Sequence, residues 1–351
     1  MNINQKQNTI KYFAAANSYN GFVSFFDTIF NSSKFNRVYI LKGGPGTGKS
    51  SFMKNVSSFF KDNCVIEEIY CSSDPESFDG IIVESNGKRI AVLDGTAPHE
   101  RDAVIPGAID EIINLGDLWD DQWLMAKREK ILKLSSEKKK AYKSGYNYLS
   151  IAGSAENIIL KEYDENFDRN SAKIKAESFL CDIPLQDNQE IYTKLLSAFG
   201  RHGYFKMEVD DRDNIIKICI NGDEFASIIF INQLRRIALA KGLSYTEIKY
   251  PLNPSLIEAL HFTGRRIVIS NAISGDFNST DLLINYKILN ERTRNAKEMR
   301  KEALLEAERW FSIASELHFE LEKIYGEAMN FEKNDEILHI KLQEMKNILQ
   351  I

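Results

Sequence analysis

Apolar and polar positions alternate in short blocks along the first third of the chain. Arg37-Val-Tyr-Ile-Leu-Lys42, Val65-Ile-Glu-Glu-Ile-Tyr-Cys71 and Lys88-Arg-Ile-Ala-Val-Leu-Asp94 are brief β-rich runs, as strands buried in a sheet require. Between the first two, the segment from Ser51 to Lys61 places Phe52, Val56, Phe59 and Phe60 on one helical face. Strand, helix and strand in succession predict an α/β fold, a parallel sheet flanked by helices.

Beyond Asp120 the rhythm changes. Residues 121–178 are charged and helical in period, and Gly145 and Gly153 are expected to break them into two antiparallel arms. A matching region covers about 288–350, where Ala296, Met299, Ala303, Ala307, Trp310, Ala314, Leu317, Leu321 and Ile324 step by three and four. That near-heptad seam predicts arm-on-arm packing within the chain, with a partner protein's helix as the alternative occupant. The run Glu137-Lys-Lys-Lys140 is expected to be a solvated helix face rather than a nucleic-acid patch.

Laid on itself at an offset of about 178 residues, the chain gives an ordered series of short matches. Val38-Tyr-Ile-Leu41 meets Ile216-Lys-Ile-Cys219, the helix opening at Phe52 meets the one opening at Phe230, and Asp74-Pro75 meets Asn253-Pro254. Lys88–Asp94 meets Arg265–Asn271, and Asp110–Asn114 meets Asp281–Asn285. These matches predict a duplicated fold, each copy with a helical hairpin appendage: a first domain over 1–181 and a second over 182–351.

Composition narrows the class. The 351 residues suit about two domains at ~150 residues each, and 43% apolar with 27% charged residues is the composition of a chain with a real core. A balance of 45 basic against 50 acidic residues gives no general attraction to nucleic acid or to an anionic membrane. Cys64, Cys71, Cys181 and Cys219 are too widely spaced for a zinc or redox pair. The opening residues lack the layout of a secretion signal, and no apolar run approaches the ~18 residues of a membrane span. A cytoplasmic protein with no membrane partner is expected.

The chemistry concentrates in Gly43-Gly-Pro-Gly-Thr-Gly-Lys-Ser50, which matches G-x-x-x-x-G-K-[ST] between a strand and a helix. Glycines let the backbone wrap a polyphosphate with its N–H groups inward, at a helix N-terminus that already favours anions. Gly43, Gly44, Pro45, Gly46, Thr47, Gly48, Lys49, Ser50 and Ser51 are therefore the expected binding residues for ATP. Lys49 would reach the phosphates, and Ser50 would ligate Mg²⁺.

A second metal-side group is expected at a strand's carboxyl end, where α/β sheets place their ligands, and Asp94 stands there. Asp74 falls at the same edge. The polar loop beyond Asp94 adds His99, Glu100, Arg101 and Asp102 as candidates for positioning water or phosphate. Many hydrolysing relatives of this motif put a Glu directly after the metal-side Asp, but here that neighbour is Gly95. Either Asp74, His99 or Glu100 orients the water, or turnover is slow, or the acceptor is not water. No Asn-Lys-x-Asp specifies GTP, so ATP is the expected nucleotide. In the second half Lys49 aligns with Ser227, Ser50 with Ile228 and Asp94 with Asn271, which predicts a scaffold without the phosphate and metal groups.

The segments Phe13-Ala-Ala-Ala-Asn-Ser-Tyr-Asn-Gly-Phe22, Leu41–Ser50, Cys71-Ser-Ser-Asp-Pro-Glu76, Leu93-Asp-Gly-Thr-Ala-Pro-His99, Pro106-Gly107 and Asn114-Leu-Gly-Asp117 carry a resemblance. The chain is similar to a family of uncharacterised bacterial P-loop ATPases, known chiefly from spore-forming Gram-positive bacteria, with two NTPase units in tandem. In that family both units carry a phosphate loop; here only the first does. The resemblance implies ATP binding and hydrolysis, with no assigned substrate.

Three functions fit these readings: a Mg-ATP hydrolase with a catalytically dead second copy, a small-molecule kinase using Asp74 as acceptor base, and an ATP-gated binding switch with negligible turnover. Further expectations are that Phe13, Asn17 and Phe22 cover the base, and that Arg265 or Arg266 of the second copy reaches the γ-phosphate.

Overall fold

The computed structural model describes residues 9–181, 183–207, 216–221, 224–262, 267–270, 282–283 and 290–351. The first half comprises β1 (Thr9–Phe13), β2 (Ala15–Ser18), β3 (Gly21–Ser24), α1 (Phe26–Ile29), β4 (Arg37–Lys42), α2 (Lys49–Phe60), β5 (Val65–Tyr70), β6 (Phe78–Ser85), β7 (Lys88–Asp94) and β8 (Asp110–Asn114). Helices α3 (Asp121–Ala126), α4 (Arg128–Glu165) and α5 (Arg169–Leu180) follow. The second half comprises β9 (Ile191–Lys194), β10 (Ser197–Gly200), β11 (Gly203–Lys206), β12 (Ile216–Asn221), α6 (Glu224–Ala240), β13 (Tyr245–Lys249), β14 (Ile257–Phe262), β15 (Ile267–Ser270) and β16 (Leu282–Leu283). It ends in α7 (Glu291–Glu327) and α8 (Phe331–Leu349).

Two six-stranded sheets form, ordered β8-β4-β7-β6-β5-β1 and β16-β12-β15-β14-β13-β9. Position by position the neighbours pair in the same sense: β4 with β7 and β8 in parallel, β5 with β1 in parallel, β6 antiparallel to both neighbours, and likewise in the second sheet. A register irregularity recurs too, at Ile69/Tyr70 and at Ile248/Lys249.

The sheets are mixed, which corrects the expected all-parallel arrangement. The cause is a two-residue turn. Asn86 and Gly87 both take left-handed backbone (φ 51 and 70), so β6 folds straight back on β7 as a tight hairpin. The expected strands over 37–42, 65–71 and 88–94 are present, the second ending at Tyr70, and Asp110–Asn114 adds a further strand.

The inner faces of the two halves share a core: Val38, Ile40, Ile82 and Leu93 of the first sheet cluster with Leu196, Ile248 and Ala259 of the second half. Helices cover the outer faces. α2 turns Phe52, Met53, Val56 and Phe60 inward, while Phe59, expected on that face, is 45% exposed.

The arms depart from the expected hairpins. Gly145 and Gly153 lie inside one continuous helix, α4, and its antiparallel partner is α7 of the other half. Both glycines are packing sites: a Cβ at Gly145 would stand 2.9 Å from the Phe311 ring, and one at Gly153 would stand 2.6 Å from Tyr19. Ala141, Ala152 and Ala155 on α4 and Ala303, Ala307 and Ala314 on α7 are buried as well. Small side chains let the two backbones approach closely. The expected α7 seam is buried at Ala296, Ala303, Ala307, Ala314, Leu321 and Ile324, but Met299 is 42% exposed and Phe311 points inward beside the expected Trp310.

Each arm then hands its last helix to the opposite sheet. α5, capped by Asp168, packs with α6 over Tyr245, Ile257 and Leu260 of the second sheet. α8, capped by Asn330, inserts Leu338, Leu342, Met345 and Leu349 into the core of the first sheet beside Phe52 and Val56.

Two further exchanges join the halves. Phe13 and Leu195 trade backbone hydrogen bonds (2.8 and 3.2 Å). The tips of the β2–β3 and β10–β11 hairpins each reach across: Tyr19 N–H donates to Leu252 O at 2.9 Å, and Arg201 N–H donates to Ser73 O at 3.4 Å. No helix among the described residues is long and apolar enough to cross a membrane.

Candidate functional site

The loop between β4 and α2 has the backbone its glycines anticipate. Gly43, Gly46 and Gly48 all take positive φ (145, 71 and 84), conformations closed to most side chains, and Gly48 caps the N-terminus of α2. Thr47 is buried and donates its hydroxyl to Gly44 O at 2.9 Å. The loop thus ends at a helix N-terminus whose first N–H groups have no intrahelical acceptor.

Lys49, the first residue of α2, folds back over the loop. Its Nζ donates to Gly43 O and Gly44 O at 2.9 and 2.8 Å and lies 3.7 Å from Asp94 Oδ2. Asp94 ends β7, next to β4, and its Oδ1 accepts from the N–H and hydroxyl of Thr96 at 2.8 and 2.6 Å. Burial, with a contribution from Asp79, raises the Asp94 carboxyl above its ordinary value, against the pull of Lys49 and Thr96. A buried carboxylate left short of positive charge is one that a divalent cation would favour. The Ser50 hydroxyl accepts the Phe78 N–H at 2.9 Å and anchors α2 to the start of β6. Ser50 and Asp94 offer the hard oxygen donors suited to Mg²⁺, so the residues present fit the metal in kind.

Gly95 has no room for the missing Glu. A Cβ there would lie 2.3 Å from Ile40 Cγ2 and 3.1 Å from Arg101 O.

The other predicted residues separate into distinct environments. His99 is buried, stacked on Phe26 (centroids 4.2 Å apart) and edge-on to Phe22, with Nε2 3.0 Å from Asp79 Oδ2. Burial works against its protonation, but Asp79 and Asp94 outweigh it and raise the imidazole above its ordinary value. Glu100 is exposed. Arg101 is buried and donates to Phe30 O and to Ser32, and Asp102 pairs with Lys42 at 3.0 Å. Phe13 is fully buried in a cluster with Leu195 and Ala198, while Asn17 bonds Phe199 O and accepts from Tyr146. Arg265, Arg266 and Asn271 lie outside the described residues.

Asp74 is held by the second half. Its Oδ1 stands 3.0 Å from Arg201 of the β10–β11 tip, and its Oδ2 accepts from Ser77 at 3.0 Å. The arms bring more charge to the same place. Lys138 of α4 meets His318 of α7, with Nζ to Nδ1 at 3.3 Å, and His318 Nε2 lies 3.6 Å from Glu322. Burial, then Lys138 and Lys49, lowers the His318 imidazole to about 4 against the pull of Asp74. Burial and Asp74 raise the Glu322 carboxyl, opposed by Lys49, Lys138 and Arg201. Direct contacts link Lys138 to His318 and His318 to Glu322 along the arms, and Arg201 to Asp74. The α7–α8 corner lies along the glycine loop: Gly46 abuts Glu322 O, Gly44 faces Trp119 and Tyr325, and Gly48 faces Phe331 and Asn334.

Asp79, Lys138, Arg201, His318 and Glu322 are absent from the sequence-derived set. Only Asp79 had a local signal, since it opens the strand that the Asn86-Gly87 turn announces. The others arrive by packing of distant helices and hairpins.

At the other end of the α4–α7 contact a buried polar network joins both halves. Glu156 accepts from Tyr19 (2.5 Å), Arg300 (2.9 Å) and Tyr250 (3.1 Å), and Arg300 also donates to Tyr250 at 2.8 Å. Ser227 and Ile228, aligned with Lys49 and Ser50, are buried within α6. Compared with known proteins, the chain matches no family model, no curated protein and no solved structure.

Proposed function

We propose that the chain is a Mg-dependent ATPase in which two copies of a P-loop nucleotide hydrolase fold share one working site, in the first half. The observation that carries this reading is the glycine loop itself. Three positive-φ glycines run into a helix whose first residue, Lys49, holds its ammonium over the loop carbonyls and 3.7 Å from the strand-end Asp94. Such a loop presents main-chain N–H groups and one ammonium to a polyphosphate. Lys49 would move from the loop carbonyls to the phosphates, with Ser50 and Asp94 on the metal side. When bound, Mg²⁺ neutralises charge on the phosphate oxygens.

The second half serves as a structural and regulatory copy. Its matching strand order and pairing senses support the duplication. Its Arg300–Glu156–Tyr19–Tyr250 network supports the loss of nucleotide binding there, because Arg300 is already paired with a buried carboxylate and a phenol of the chain itself.

Phosphate release by the purified protein, with Mg-ATP or Mg-GTP and with no acceptor added, tests this reading. Release with ATP that is lost in Lys49→Ala is expected. Equal release by Lys49→Ala, or release only with an added metabolite, would refute it.

A further inference from the structure

The arms meet the two halves with different charge. At one end of their contact, the N-terminal part of α7 sets Arg300 against Glu156 from the C-terminal part of α4, at 2.9 Å. At the other end, the N-terminal part of α4 sets Lys138 against His318 from the C-terminal part of α7, at 3.3 Å. The positions correspond, but the pairing does not. Arg300 meets a carboxylate and is neutralised where it stands. Lys138 meets an imidazole, and no carboxylate lies within 4.0 Å of it among the described residues.

An ammonium between packed helices without a counter-charge costs stability. Burial pulls Lys138 below its ordinary value, against the attraction of Glu322. His318 stays neutral beside it, and the ammonium donates a hydrogen bond to its Nδ1. The uncompensated charge stands near the glycine loop: Lys138 contacts His318, one helical turn before Glu322, whose backbone carbonyl abuts Gly46. A second cation comes from the rear hairpin: Arg201 stands over the ring of Phe319 (4.9 Å), the neighbour of His318 on α7, and pairs with Asp74 (3.0 Å) and Glu76 (3.4 Å).

Resting on the nucleotide reading above, we propose that Lys138 and Arg201 bind the terminal phosphate of the triphosphate in the first half. The missing counter-charge at Lys138 is then supplied by the ligand. The rear half acts as a built-in activating partner, in the role that a separate protein's arginine plays for other phosphoryl-transfer sites. Lys49 grips the inner part of the polyphosphate, and the arm and hairpin read whether the last phosphate is present.

The test is titration of the full chain with Mg-ATP and with Mg-ADP, for the unsubstituted protein, Lys138→Met and Arg201→Ala. Thermal unfolding of each ligand-free protein is recorded alongside. Both variants are expected to bind Mg-ATP at least about tenfold more weakly, the scale of one charge-assisted hydrogen bond. Mg-ADP affinity should stay within about twofold, because neither residue touches the inner phosphates. Ligand-free Lys138→Met should melt higher than the parent, since a chain of similar length replaces a half-buried ammonium that has no carboxylate partner.

An unchanged ratio of ATP to ADP affinity in both variants would overturn the proposal. So would a lower melting point for ligand-free Lys138→Met, which would make the ammonium a structural pin. If the unsubstituted protein takes up neither nucleotide, the nucleotide reading itself falls, and that failure is seen before any variant is compared.

Discussion

Gly95 sets the chemistry available at the end of β7. Its Cα packs so tightly on Ile40 that no side chain can follow Asp94, and the usual carboxylate base has nowhere to stand. Gly95→Ala is expected to lower stability by about 1–3 kcal/mol, the cost of forcing a methyl into a packed core. A lowered midpoint in urea unfolding would show it, and an unchanged midpoint would mean that Ile40 can move aside. His318 carries a second expectation. Its pKa is about 4 in the folded chain against an ordinary 6.5, so between those values the unfolded chain binds a proton that the folded chain refuses. The stability tied to the neutral ring is complete above about pH 6.5 and drains away as pH falls toward 4. His318→Gln should flatten that loss in urea midpoints measured across the window, and an unaltered slope would contradict it. At this scale the sequence was legible where residues adjacent in the chain act together: residues 43–50 and Asp94 stand in one constellation. It was silent where charge comes from afar. Lys138 sits in a lysine run that reads as solvent-facing, and only the packing of α4 on α7 separates it from Lys139 and Lys140, which are exposed.

Elements show which patterns carry through to structure and which mislead. The β-rich runs became strands because burial on both faces admits only short apolar segments. The antiparallel β6 went unrecognised, although Asn86-Gly87 between two apolar runs is a strong hairpin signal. The arm glycines misled in the opposite sense. Glycine weakens a helix by about 1 kcal/mol relative to alanine, which suggests a break, yet at Gly153 the missing side chain is what admits Tyr19. Gly153→Ala should therefore destabilise despite the better helix former, because overpacking costs about 1–3 kcal/mol. A raised thermal midpoint would contradict this. The exchanged terminal helices were not legible at all, since the apolar stripe of α8 fits either sheet in principle. Leu342→Ala is expected to cost about 2–5 kcal/mol, and hydrogen exchange should quicken first in β4–β7 of the first sheet rather than in β12–β15. Quickening confined to the second sheet would refute the assignment of α8.

At the scale of the whole molecule, the halves are wound into each other. α5 and α8 cross over, α4 packs along α7, the hairpin tips trade places, and the Glu67 carboxylate of β5 pairs with Lys194 of β9 at 3.2 Å. Burial would raise Glu67, but Lys194, Arg89 and Tyr12 outweigh it and hold the carboxyl below its ordinary value. Urea unfolding followed by fluorescence and by circular dichroism should give one coincident transition; two separated transitions would mean that the halves fold independently. Under the proposed function, the same winding would let the rear half act on the nucleotide through Arg201, His318 and the α7–α8 corner. The central claim is that only one of the two halves binds a triphosphate. Calorimetric titration with ATP in the presence of magnesium tests it most directly. The account predicts uptake of a single equivalent per chain, abolished in Lys49→Ala; no uptake, or two equivalents, would contradict it.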